Sequence, residues 1–326
     1  MKPVLNAGEF VVGLDIGGTK MMACVFDHKF KIIGRCRKKS KSGKDEKPED
    51  RIEKIVREAI TDAGEVPIRG IGVGSPGPLD PGTGVIIDTP NLGWKKFPLG
   101  QVLSDAFGVH VAVDNDVNLG TLGEWVFGKV KDCKNVVGLF PGTGIGGGII
   151  VDGKLYHGAS GSAGEVGHMT LEIDGPYCGC GKRGCFEALA SRVAIASQIA
   201  ALAARDDAPY ILRNCGTDLG KIRSGVIAKA IDNGDKMVEG VVRKAAFYTG
   251  VAAANLINVL SPEALVLGGG LVEAMPNIYM EEVTTALKQH TMPFLLKFVR
   301  VMPAKLGDDA VAMGAAALIA DRLNQK

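Results

Sequence analysis

Four soft or borderline metal ligands crowd into one short stretch of this chain: His168, Cys178, Cys180 and Cys185, spaced H-x9-C-x-C-x4-C with Gly179, Gly181 and Gly184 between them. Three thiols and one imidazole match a closed tetrahedral structural Zn2+ site, although the spacing is not that of common zinc fingers. A cluster of free thiols is the plain alternative, and the absence of a C-x-x-C pair disfavours a redox relay. Cys24, Cys36, Cys133 and Cys215 read as small buried hydrophobes.

Two glycine-rich segments suggest anion chemistry. In Asp15-Ile16-Gly17-Gly18-Thr19-Lys20, glycines allow positive φ and let backbone N–H groups converge on an anion, while Thr19 adds a hydroxyl donor. Asp15 suits a phosphate site only with a cation between them, so it is assigned to Mg2+ through water. The alternative is an ordinary hairpin turn. The segment Gly142-Thr143-Gly144-Ile145-Gly146-Gly147-Gly148 carries five glycines between two strands, an entropic cost that close backbone approach to phosphate explains. It is neither a Walker A loop nor a dinucleotide fingerprint, because no Gly-Lys-Ser/Thr follows and the next element is a strand. Gly268, Gly269 and Gly270 end a buried strand, where a flat adenine or ribose could pack on bare backbone, or where the chain simply turns.

Asn115-Asp116 follows another strand. A carboxylate at that position can take a proton from a substrate hydroxyl, and it can equally serve as the N-cap of the next helix. Glu165 and Glu187 could accept hydrogen bonds from sugar hydroxyls. The plain readings are a solvated loop for Glu165 and helix-dipole complementarity for Glu187.

The elements that must hold these groups are alternating strands and helices. Strands are expected at Phe10–Leu14, Met21–Phe26, Lys31–Cys36, Ile71–Gly74, Val109–Val113 and Ala264–Leu267. Ile52, Ile55, Val56, Ala59 and Ile60 form the apolar stripe of a helix. Helical patterns cover about 118–127, 185–204, 236–259, 275–290 and 308–322, and 205–221 reads as a loop or insertion. Residues 11–30 align with 136–155 at an offset of 125 with seven identities in twenty, beginning with Val11-Val12-Gly13-Leu14 against Val136-Val137-Gly138-Leu139. Both copies read strand, glycine turn, strand, which suggests two related domains facing a cleft. Strands mixed with crossover-length helices define an α/β chain.

The chain has 326 residues, enough for about two domains. Hydrophobic residues make up 46%, which excludes a disordered chain. A formal charge of +2 gives no overall field for nucleic acid or anionic membrane. The basic stretch Arg35, Arg37, Lys38, Lys39, Lys41 and Lys44 reads as a solvated strand end and loop. No apolar signal segment opens the chain, and the apolar run Ala310–Ala320 is short of the ~20 residues that span a bilayer, so a soluble cytoplasmic protein is expected.

The order of motifs D-I-G-G-T-K, G-S-P-G-P, N-L-G-W at 91–94, N-D, G-T-G-I-G-G-G, G-E-V-G-H, C-G-C-G-K-R-G-C-F-E and L-G-G-G resembles the ROK family of sugar kinases and repressors, nearest its bacterial glucokinase-type members, from about residue 10 to 322. The resemblance implies the actin-like (ribonuclease H-like) two-domain ATPase fold with an interdomain cleft. It implies a small domain of residues 1–118 plus 307–326 and a large domain of 119–306. It implies phosphate motifs at Asp15, Gly17, Gly18, Thr19 and Lys20 and at Gly142, Thr143, Gly144 and Gly146, and an adenosine motif at Gly268, Gly269 and Gly270. Asp116 becomes the base; Asn115, Asp116, Glu165, His168 and Glu187 bind the sugar; His168, Cys178, Cys180 and Cys185 bind zinc. The last helix should pack back on the small domain, and members are commonly homodimers or homotetramers. Two departures stand out. Phe140-Pro141 precedes the second turn, and Pro141 brings no N–H. Only nine residues precede the first strand, too few for the helix-turn-helix domain of family repressors. The expectation is an ATP-dependent hexokinase using Mg2+ and structural Zn2+, with glucose first and N-acetylhexosamines, mannose or fructose as alternatives. A non-catalytic sugar sensor is the rival from another class.

Overall fold

A computed structural model describes residues 3–40, 47–89 and 92–325, and within them the chain divides into two compact units. The first gathers residues 1–134, 148–164 and 308–326; the second holds 135–147 and 165–307. The sequence expectation put 119–306 in one domain, so 119–134 and 148–164 fall on the other side of the division.

The first unit is built on strands β1 (Phe10–Ile16), β2 (Lys20–Phe26), β3 (Ile32–Lys39), β4 (Ile68–Ser75) and β8 (His110–Asn115), in the order β3-β2-β1-β4-β8. The pairs β1–β2 and β2–β3 are antiparallel, whereas β1–β4 and β4–β8 are parallel. Helices α1 (Pro48–Asp62) and α2 (Leu99–Phe107) cover one face. There Ile52, Ile55, Val56, Leu99 and Leu103 bury against Val12, Leu14, Ile71 and Val73. The alternation of β1 sends Val11 to the opposite face, onto Ala312, Ala316 and Ile319 of α11 (Ala310–Asn324). A small antiparallel sheet of β5 (Leu79–Asp80), β6 (Val85–Thr89) and β7 (Trp94–Phe97) has no counterpart in the sequence reading. Asn91 and the basic residues Lys41 and Lys44 lie outside the described residues.

Helix α11 touches the sheet backbone to backbone. A Cβ on Gly13 would stand 2.0 Å from the Ala312 carbonyl oxygen, and one on Gly72 1.9 Å from that of Ala315. No side-chain rotation relieves a clash with backbone. Gly72→Ala is therefore expected to lower the stability of the protein by about 3 kcal/mol or force α11 off the sheet, read as a lower urea midpoint at unchanged slope. The basic stretch is not merely solvated, because Arg35 pairs with Asp309 at 2.9 Å, Arg37 with Asp308 at 2.6 Å and Lys38 with Glu58. The two arginine bridges tie β3 to the residues just before α11 and the lysine bridge ties it to α1, each contributing no more than about 1 kcal/mol at the surface.

Helix α3 (Asp116–Phe127) completes the first unit beside α11; a Cβ on Gly314 would lie 1.9 Å from the Leu119 carbonyl oxygen. The second sheet follows: β9 (Val136–Pro141), β10 (Ile145–Val151), β11 (Lys154–Leu155), β12 (Ala264–Leu267) and β13 (Arg300–Pro303), in the order β11-β10-β9-β12-β13. This repeats the first sheet position for position, with β12 parallel to both β9 and β13. The internal similarity at offset 125 is thus a duplicated sheet topology.

Helices dominate the second unit: α4 (Phe186–Ala190), α5 (Arg192–Ala203), α6 (Pro209–Cys215), α7 (Ser224–Asp232), α8 (Lys236–Leu260), α9 (Gly270–Ala274) and α10 (Pro276–His290). The expected single helix over 185–204 breaks at Ser191, whose hydroxyl accepts from the Ala194 N–H and starts α5. That stretch, apolar enough over Phe186–Ala203 to cross a membrane by composition, instead puts Phe186, Ala190, Ile195 and Ile199 into the core. The segment 205–221 is not a plain loop: Pro209 opens α6 and Gly216 ends it.

Candidate functional site

In the second unit the four predicted ligands converge. Their ligand atoms all lie within 4.8 Å of one another, with Cys178 Sγ 3.6 Å from His168 Nδ1 and Cys180 Sγ 3.7 Å from Cys185 Sγ. A tetrahedral ion bonded at about 2.3 Å to sulfur and about 2.0 Å to nitrogen has S···S edges near ~3.8 Å and N···S edges near ~3.5 Å. The residues fit such an ion. His168 presents Nδ1 to the thiols, which leaves Nε2 on the Glu165 side, 3.9 Å from its carboxylate. The site is local in origin: a 310 turn at Val166–His168 supplies the imidazole, and bridges pairing Thr170 with Cys185 and Tyr177 with Arg183 fold the thiol loop back.

Glu187 links this cluster to the second glycine turn. One of its carboxylate oxygens accepts the Ile145 N–H at 2.8 Å, and the other lies 3.9 Å from Cys178 Sγ. A Cβ on Gly144 would come within 2.4 Å of that carboxylate, which would have to give way. The turn itself is short, Gly142 donating to the Gly144 carbonyl at 2.8 Å. The expectation of positive φ at the first glycine turn needs correcting. Positive φ among the described glycines falls elsewhere, at Gly158, Gly161 and Gly164 for example, and at none of Gly17, Gly18, Gly142, Gly144 or Gly146. Close approach, not left-handed backbone, accounts for Gly144, and Gly148 packs on Thr121 with no room for a Cβ.

Phe140 and Pro141 also find their purpose. A Cβ on Gly268 would meet the Phe140 ring at 2.7 Å, and one on Gly269, at φ +85°, the Pro141 carbonyl oxygen at 2.6 Å. The bare backbone at Gly268 and Gly269 is therefore covered, and the open face is at Gly270, whose nearest neighbour would be the Ser224 hydroxyl at 3.8 Å. A cavity of about 610 Å3 has Thr143, Glu187, Cys178, Lys244 and Tyr248 on its wall.

In the first unit, Asn115 ends β8 and caps α3, its side-chain oxygen accepting from the Val117 N–H at 2.9 Å and the Asn118 N–H at 3.3 Å. The capping role thus falls to Asn115. The Asp116 carboxylate is oriented by the Val117 N–H at 2.9 Å. Beneath them sits a residue that sequence reading missed. Asp114, 1% exposed, accepts from the Asn115 N–H at 2.7 Å and the Asn118 amide at 3.0 Å, and bonds His157 Nε2 at 2.7 Å. The Asp114 carboxylate raises the His157 pKa against the opposing effect of burial. Forty-three residues separate the pair, so no local pattern marks it.

The first glycine turn closes through a Gly17 N–H bond to the Lys20 carbonyl at 2.9 Å, and Ser40, also unanticipated, braces it through its hydroxyl to the Gly17 carbonyl. Thr19 and Lys20 are exposed. Burial, and then the Asp116 charge, push the Asp15 pKa up to about 7. The sign follows from linkage. Below about pH 4 Asp15 is protonated folded or unfolded and costs nothing; from there to about pH 7 the unfolded chain releases the proton more readily, so the folded state loses ground. In magnesium-free buffer Asp15→Asn should be more stable than wild type by about 3 kcal/mol at pH 8. The gain should shrink as pH falls toward 5, measured by urea denaturation at each pH.

With this geometry in hand, similarity identifies the class. The ROK family pattern matches residues 11–322, and the chain belongs to that family. It is 36% identical over 256 residues to the glucokinase of Halalkalibacterium halodurans, covering 78% of this chain and 77% of that one. It is 30% identical to the xylose repressor of Caldicellulosiruptor bescii, over 95% of this chain and 77% of the repressor. The crystal structure of a ROK family glucokinase from Streptomyces griseus in complex with glucose and AMPPNP superposes with a TM-score of 0.80 at 30% identity, covering 95% of this chain and 98% of that one. The fold is the actin-like two-domain architecture of ROK kinases.

Proposed function

We propose that the protein is an ATP-dependent hexokinase that phosphorylates the 6-hydroxyl of glucose in preference to other hexoses. The observation that carries this reading is the division of labour at the end of β8. Asn115 caps α3, so capping does not account for the carboxylate of Asp116, which is half-buried at the first position of α3 and held by the Val117 N–H. That is the placement a general base requires. The sugar hydroxyl gives its proton to Asp116 as its oxygen attacks the γ-phosphorus, and the bond from phosphorus to the ADP oxygen breaks.

Asn115, Glu165, His168 and Glu187 accept or donate hydrogen bonds to the other hydroxyls, Glu187 with one oxygen already engaged at Ile145. Asp15, Thr19 and the two glycine turns hold the phosphates. Asp15 and Thr19 offer the hard oxygen atoms that Mg2+ prefers, and the ion, when bound, neutralises phosphate charge. His168, Cys178, Cys180 and Cys185 would hold Zn2+, which supplies structural order to the loop carrying Glu165.

Identity to a xylose repressor over 95% of the chain supports a second reading, a sugar-binding regulator without turnover. A coupled ADP-release assay with ATP, Mg2+ and a panel of hexoses separates the two. Turnover with glucose far above other sugars is the expected result. Turnover only with an N-acetylhexosamine, mannose or fructose would keep the mechanism and replace the substrate. Sugar binding without any turnover would favour the regulator.

A further inference from the structure

We propose that Arg192, with Arg223 beside it, forms a cationic clamp for the polyphosphate chain of the phosphoryl donor at the second glycine turn. The proposal rests on the kinase reading for its substrate and extends it to residues that no motif marks.

Three observations carry it. Arg192 opens α5 and is tied twice to the turn: its N–H donates to the Gly142 carbonyl at 2.8 Å, and its guanidinium donates to the Thr143 hydroxyl at 2.9 Å. Accepting that bond leaves the Thr143 hydroxyl proton for a ligand. Second, neither arginine has a carboxylate partner among the described residues; the Arg223 guanidinium donates only to the Gly220 carbonyl at 3.2 Å. Most other guanidinium groups on the protein that bond side chains do meet acids, as Arg35, Arg37 and Arg243 do. Third, Arg223 immediately precedes Ser224, the residue facing the open side of Gly270. Arg223 is thus the chain neighbour of the residue beside Gly270, and its charge is felt at Arg192 on the second glycine turn.

The electrostatics agree. Burial, and then the like charge of Arg223, hold the Arg192 guanidinium below its usual pKa. Two cations near each other without an acid raise the free energy of the empty site, and an anion relieves it. A triphosphate also matches the planar fork of guanidinium donors. Pro141 brings no N–H to this turn, and the Arg192 side chain supplies donors in its place.

The test compares wild type with Arg192→Gln and Arg192→Lys, by calorimetric binding of ATP, adenosine and inorganic tripolyphosphate to the full chain and by steady-state kinetics. Arg192→Gln should weaken ATP and tripolyphosphate binding by about tenfold or more, the worth of one charge-assisted contact. It should raise the KM for ATP in parallel, leave adenosine affinity and the sugar KM within about twofold, and be partly rescued in Arg192→Lys. An equal loss of adenosine affinity, or an equal rise in sugar KM, would show that Arg192 only shapes the turn and would overturn the proposal. So would unchanged ATP affinity in the glutamine variant, or a wild type that binds neither ATP nor tripolyphosphate. If no sugar supports turnover yet ATP affinity falls selectively in Arg192→Gln, the clamp stands and the hexokinase reading falls.

Discussion

Asp116→Ala should lower kcat by at least ~10²-fold while leaving the fold intact, because a positioned general base is worth about 10²- to 10⁴-fold. The structure makes this a clean measurement. The cap of α3 belongs to Asn115, and the buried anchor of the strand end is Asp114 with its bonds to Asn115, Asn118 and His157. Neither depends on the Asp116 side chain. Removing Asp116 also removes the nearby charge that helps hold Asp15 protonated, so the Asp15 pKa should fall from about 7 toward that of an ordinary carboxylate, with burial still opposing. Thermal stability at or above wild type with kcat reduced a hundredfold is the expected pair of results. Activity near wild type in purified protein would remove the base assignment.

Cys180→Ser should cost the protein its bound metal and about 3 kcal/mol or more of stability together, a part of the ~10–16 kcal/mol that structural zinc supplies to small folds. Cys180 is the informative ligand because it is exposed, so shortening its side chain disturbs little packing. Cys185 is buried, and the same change there would confuse packing with ligation. The effect should reach beyond the loop. Glu187 lies against Cys178 and holds the Ile145 N–H, so release of the thiols frees a brace of the second glycine turn. The KM for ATP should therefore rise in the variant although Cys180 touches no nucleotide. Metal analysis of wild type should give about one Zn2+ per chain; less than ~0.2 would end the zinc assignment.

How much of this was legible depended on distance along the chain. The cluster of His168 with three thiols was readable because its four residues lie within one short stretch of chain. The duplicated sheet was readable because each copy begins with the same hairpin, and strand order followed. The 43-residue separation of His157 from Asp114 and the 49-residue separation of Arg192 from Thr143 left no periodic trace, and only folding brings those side chains together. Helix α6 was hidden by its own punctuation: Pro209 and Gly216 suggest a loop by composition but are the start and stop of a helix by position. The positive φ expected of the first glycine turn is not what its backbone shows, and at the second turn it is the Glu187 carboxylate that crowds Gly144.

The place of α11 has a consequence for how the protein is made. The sheet bearing Asp15 and Asn115 has one face covered by a helix whose carbonyl oxygens touch Gly13 and Gly72, and that helix begins at residue 310. A chain emerging from the ribosome has all five strands of that sheet by residue 115, but the covering helix only after 135–307 have been translated. At ~5–20 residues per second the wait is on the order of 10–30 s. For that interval Val11, Met22, Cys24 and Phe26 lack the helix that covers them in the folded protein. Slower translation downstream of residue 134, with the mature protein unchanged, should therefore lower its soluble yield.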